Sequence, residues 1–223
     1  MNRPVYKHPL RIFLAWGAVL ALVIAALGAS DVAMLRYAEQ RRAADFRTYV
    51  DQAGSLIERG RYVEAESAVR KAISLAPDRP EPREALGHLR YRMKRWEEAI
   101  EAYNEAIARA SRDEGIRQNL VWSHIELQQF EEAARVGEFC IREGYRGAVL
   151  PRYIAEAYYR AGKFEQAIPF FEAALLAFPN DLYLLDHLRN ALLRTGQRTR
   201  AQEVAAAMAE AGRALGQAVE SAP

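Results

Sequence analysis

The 223-residue chain has one cysteine, so no intrachain disulfide is possible. Cys140 stands where small residues recur, which suits packing better than a reactive thiol. Lysine is scarce, with four residues against 27 arginines, a bias of codon usage rather than a mark of a site. Neither sign of charge prevails. The net charge is +2, and residues 46–215 hold 25 basic and 25 acidic side chains. A nucleic-acid surface needs a net basic stripe, so nucleic acid is not an expected partner. The four histidines, His8, His88, His124 and His187, have no second His, Cys or carboxylate at metal-ligand spacing, and neither HExxH nor CxxC occurs. His124 falls near the packing face of its helix and reads as a core residue. Glycine-rich phosphate loops and GxSxG are missing too. No catalytic residues, metal, cofactor or small-molecule substrate are therefore expected.

There is a single long hydrophobic run. From Leu10 to Ala29 the chain is apolar except for Arg11, and the next charge is Asp31. At ~1.5 Å per residue, residues 12–30 reach about 28 Å, enough to cross a bilayer core once. A secretory signal has a shorter apolar core, although cleavage after Gly28, with Ala26 two residues earlier, is the alternative. Arg3, Lys7 and Arg11 flank one end and Arg36, Arg41 and Arg42 the other, so the positive-inside count is tied. The short basic N-terminal region ahead of a long C-terminal portion favours a cytoplasmic N-terminus. In a bacterium the rest of the chain would then lie in the periplasm. Gly17, Ala21, Ala25 and Ala29 recur every fourth residue, a stripe that lets membrane helices approach closely. The abundance of alanine here would produce the same spacing.

Beyond the run, a period of 34 governs the sequence. Ala65, Ala99, Ala133, Ala167 and Ala201 mark it, with a second ladder seven residues on at Ala72, Ala106, Cys140, Ala174 and Met208. Aromatics precede the first ladder by three, at Tyr62, Trp96, Phe130 and Phe164, and Arg198 breaks the series. Five copies in unbroken register specify a helical solenoid. Gly60, Lys94, Gln128, Gly162 and Gly196 share a turn position where a helix would end in left-handed geometry. Pro77 and Pro179 end their repeats, as Gly144 does differently and Ser111 weakly. Pro80, Pro82 and Pro151 fall in first turns. Pro169 lies deep enough in its helix to predict a kink.

These residues resemble the tetratricopeptide repeat (TPR) family. The fourth copy carries the pattern most fully, with Ala155, Tyr158, Gly162, Phe164, Ala167, Phe171, Ala174 and Pro179; the second carries Leu86, Gly87, Trp96, Ala99, Tyr103 and Ala106. Gly137 departs from it where an aromatic is usual. The resemblance implies a right-handed superhelix of helix pairs, with a concave groove lined by the first helix of each repeat. On each first helix the residues at i, i+4, i+7 and i+8 share the face turned away from the ladders. Carried over to that face, a protein-binding groove would comprise Glu84, His88, Tyr91 and Arg92, then Gln118, Trp122 and Glu126. It would continue through Arg152, Glu156, Tyr159 and Arg160 to Asn190 and Arg194. Val50, Gly54, Ile57 and Glu58 make the first repeat's share apolar and unremarkable.

The sequence thus predicts an all-α chain: a basic tail (1–11), a transmembrane anchor (12–30), a helical stalk (31–45), five repeats (46–79, 80–113, 114–147, 148–181, 182–215) and a tail (216–223). The expected function is a non-enzymatic scaffold or assembly factor for protein partners of a membrane or envelope complex. A periplasmic receptor for peptides or clients, cut free of its signal, is the alternative.

Overall fold

The computed structural model describes the backbone of residues 9–220 and the side chains of residues 31–214. The described residues form ten helices and no strand: α1 (Pro9–Glu58), α2 (Tyr62–Leu75), α3 (Glu81–Arg92), α4 (Trp96–Ala108) and α5 (Glu114–Glu126), then α6 (Phe130–Arg142), α7 (Val149–Arg160), α8 (Phe164–Ala177), α9 (Leu182–Arg194) and α10 (Arg198–Glu220). The stripe Gly17, Ala21, Ala25 and Ala29, with the whole of 12–30, lies outside the residues whose side chains are described. Among the described residues no helix is long and apolar enough to cross a membrane.

One turn chemistry builds every helix pair. Gly60, Gly162 and Gly196 have φ of 73°, 74° and 77°, and Lys94 and Gln128 adopt 58° and 59° at the same position. The next residue's N–H then bonds back five residues: Arg61 to Leu56, Arg95 to Arg90, Gln129 to His124, Lys163 to Tyr158 and Gln197 to Leu192. This satisfies carbonyls that the ending helix leaves bare. The same device joins repeats two to three and three to four, with Ala110 (φ 59°) and Gly144 (φ 99°) at the left-handed position. Asp113 and Asp181 cap α5 and α9, accepting from Gly115 N at 2.6 Å and from Tyr183 N at 3.0 Å.

Each helix packs on its chain neighbours. The first helices also touch one another, α1 with α3, α3 with α5, α5 with α7 and α7 with α9, whereas no second helix meets the next second helix among the described residues. The chain therefore closes its curvature on the first-helix side. The alanines at 65, 99, 133 and 167 are fully buried, because two helix backbones approach too closely for a larger side chain. Cys140 and His124 are buried too. Gly137 is glycine because Ile154 fills its space: a Cβ there would meet Ile154 Cγ1 at 2.5 Å. α8 runs on through Pro169, which faces solvent, so water can reach the carbonyl that its missing N–H leaves unpaired.

α1 already touches the end of α2 at residue 42. Arg42 donates to Leu75 O at 2.8 Å, and the Arg79 guanidinium lies 5.4 Å over the buried Phe46 ring. Residues 31–41 of α1 are all exposed, Val32, Met34, Leu35 and Tyr37 included.

Candidate functional site: the first-helix groove

The face shared by the first helices carries two groups of clefts. The N-terminal cleft encloses about 530 Å³ between α1, α3 and α5. Val50, Gly54, Ile57 and Ala85 make its apolar wall, so the first repeat, expected to be unremarkable, supplies much of the largest cleft described. Glu84, His88, Tyr91 and Arg92 gather there, with Glu58, Glu81, Asp113 and Asn119. The Glu84 carboxylate accepts from the buried Ser111 hydroxyl at 2.5 Å. Burial raises its carboxyl above the usual range, with Asp113 and Glu81 pushing the same way against the hydroxyl. Desolvation lowers His88, against Asp113 and Glu58, and its ring sits edge-on to Tyr103 at 5.6 Å. Tyr91 packs edge-on against Trp96 at 5.2 Å, and burial pushes its hydroxyl up to about 12.

The second group spans α5, α7 and α9. Two neighbouring clefts of about 250 and 260 Å³ share Trp122, Arg152 and Tyr153; Glu156, Arg160 and Tyr183 line the second. Trp122 and Tyr153 lie 5.0 Å apart. Arg152 pairs with Asp181 at 2.9 Å, and its guanidinium lies 5.4 Å over Tyr183. Beneath them Glu156 is only 5% exposed. It is therefore not a free groove contact, as its place on the face suggested, but part of the floor. Its carboxylate accepts from Arg160 Nε at 2.6 Å and from the Tyr183 hydroxyl at 2.5 Å. Burial, and donation to that carboxylate, hold the Tyr183 hydroxyl well above its ordinary range.

Other predicted groove residues are engaged within the protein. Gln118 donates to the Tyr145 hydroxyl at 2.6 Å, and Asn190 to Asp186 at 3.0 Å. Tyr159 packs among Phe164, Phe171 and His187, with centroids 5.4, 5.9 and 4.7 Å away. Arg194 lies 5.0 Å over Phe164, whereas Glu126 stands exposed. Tyr153 and Tyr183 escaped the sequence reading because the i, i+4, i+7, i+8 face passes them by. A signal existed in the offset between stacked repeats. Glu84–Ser111, Gln118–Tyr145 and Glu156–Tyr183 each bond across 27 residues. Among the described residues no group of three or more His, Cys, Asp or Glu side chains is placed to hold a metal ion.

Comparison with known proteins follows the same pattern. Two family models, each described as tetratricopeptide repeat, match residues 56–114 and 152–181. No curated protein gives a significant match. Among solved structures, MamA from Desulfovibrio magneticus RS-1 is 16% identical with a TM-score of 0.67, covering 76% of this chain and 96% of that one. YrrB, a TPR protein with an unusual peptide-binding site, is 14% identical with a TM-score of 0.64, over 73% of this chain and 84% of that one. PilF of Pseudomonas aeruginosa is 19% identical with a TM-score of 0.59, over 76% and 78%. At these identities the likeness is one of fold.

Proposed function

We propose that this chain, a tetratricopeptide-repeat protein, is a membrane-anchored, non-enzymatic scaffold that holds an extended segment of a protein partner along its first-helix groove. The observation that carries this reading is the cradle where Trp122, Tyr153 and Tyr183 stand beside Arg152 and Arg160 around an open cleft. Aromatic and arginine side chains contribute most where a partner is desolvated against them. The peptide-binding site of YrrB, whose fold this chain shares, supports a peptide as the class of occupant. The partners would be proteins of a membrane or envelope complex.

In this reading residues 12–30 cross the inner membrane of a bacterium once, with the N-terminus cytoplasmic and the repeats periplasmic. α1 runs without interruption from Pro9 to Glu58, so the repeats would ride on the anchor helix itself rather than on a flexible linker. The test is gentle detergent extraction of the tagged full-length protein, with mass spectrometry of what co-purifies and of its own N-terminus. A stoichiometric membrane-protein partner is expected. Trp122→Ala with Tyr153→Ala should weaken its binding by about 2 kcal/mol or more while the helical melt persists. A mature chain beginning near Ala29 would replace the anchored scaffold with a released receptor.

A further inference from the structure

We propose that the aromatic cradle of the groove takes a proline-rich segment in the polyproline II conformation; this rests on the groove being a peptide site. The carboxylates around the cradle are already occupied. Glu156 accepts from Arg160 Nε on one oxygen and from the Tyr183 hydroxyl on the other. Asp181 accepts from Arg152 on one oxygen and from the amides of Tyr183 and Leu184 on the other.

Donors, by contrast, are left over. Trp122 and Tyr153 line both clefts. Among the described residues neither the Trp122 indole N–H nor the Tyr153 hydroxyl bonds to the protein, whereas the hydroxyls of Tyr103, Tyr145, Tyr158 and Tyr183 all do. No buried side-chain nitrogen or oxygen among the described residues lacks a partner, so these two spare groups reach solvent although their side chains are half-buried. Arg152 commits only Nη1 to a carboxylate and Arg160 only Nε, so both keep further N–H groups.

A segment that fits must therefore bring carbonyls and few N–H groups. An ordinary extended strand brings both in equal number, and its N–H groups would be buried there without acceptors, at a cost. Proline has no N–H, and a polyproline II chain has no internal hydrogen bonds, so its carbonyls all stand free. Shape agrees with this. The rings of Trp122 and Tyr153 tilt by 49° and form a wall common to both clefts, with Phe178 in one cleft and Tyr183 in the other. Polyproline II repeats every three residues, so rings on successive turns share one side and can enter two clefts across such a wall. The chain is also preformed, so docking it on aromatic faces costs little ordering entropy.

The experiment uses the full chain in mild detergent and three fluorescein-labelled decamers, amidated at the C-terminus: L-proline, its D-proline mirror image, and alternating threonine and valine. Fluorescence anisotropy reads affinity. L-proline should bind roughly tenfold or more tightly than the other two, because D-proline reverses the helix hand and threonine–valine restores the N–H groups. Tyr153→Phe, which removes only the hydroxyl, should weaken L-proline binding about fivefold. Trp122→Phe, which removes the indole N–H and keeps a ring, should weaken it at least as much, with the helical melt retained in both variants. D-proline or threonine–valine bound as tightly as L-proline, and lost in Trp122→Ala, overturns the proline assignment and leaves the groove standing. An L-proline affinity untouched by both Phe substitutions overturns it as well, since the spare donors would then not read the ligand. Binding of no decamer overturns it too; the groove reading is then decided separately, by whether Trp122→Ala with Tyr153→Ala loses the co-purified partner.

Discussion

At the residue scale, two side chains bear on stability in opposite ways. Lys94 occupies the left-handed turn position at φ 58°, where three of the five repeats place glycine. Its Cβ crowds the backbone there, and glycine removes the strain at some cost in unfolded-chain entropy. Lys94→Gly should therefore stabilise the fold by about 0.5–1 kcal/mol, read as a higher denaturation midpoint at unchanged slope. Glu66 works through charge. Hydrogen bonds from Arg90, and then from Arg70, hold its carboxyl at about 2, against an ordinary value of 4.5. A depressed folded-state value contributes stability in full above about 4.5 and loses it as the pH falls through about 2. Melts of wild type and Glu66→Gln should accordingly converge as the pH drops across that window. A gap that stays constant would mean the arginines hold Glu66 no better in the native chain than in the unfolded one.

At the element scale, the helix pairs follow from the 34-residue register, and the register also names each turn residue. What a helix must leave out is less legible. Spacing marks Gly137 as an absent aromatic but not what fills the gap, because Ile154 belongs to the next repeat and enters from α7. Gly137→Leu should cost about 1–3 kcal/mol through overpacking, and Ile154→Ala should recover part of it. Costs that simply add in the double variant would show that the two positions do not compete for space. Pro169 stays inside α8 and faces water, which can solvate the carbonyl that its missing N–H leaves unpaired.

At the scale of the whole molecule, the scaffold reading makes the anchor a recognition element as well as a tether. Gly17→Leu with Ala21→Leu should release a partner that binds through the proposed membrane helix while the repeats keep their melt. Retention of the partner in that variant would place recognition in the groove alone. The sequence by itself determined the all-α solenoid, its helix pairs and the buried alanines, since each depends on contacts at a fixed offset within or between adjacent repeats. Only the tertiary structure decided which face residues are open. It turned Glu156 into a buried floor, drew Tyr153 and Tyr183 into the cradle, and made the plain first repeat a wall of the largest cleft described. The reason is physical: a helix face is set by local periodicity, but exposure depends on how far neighbouring helices stagger and which side chains they bring across.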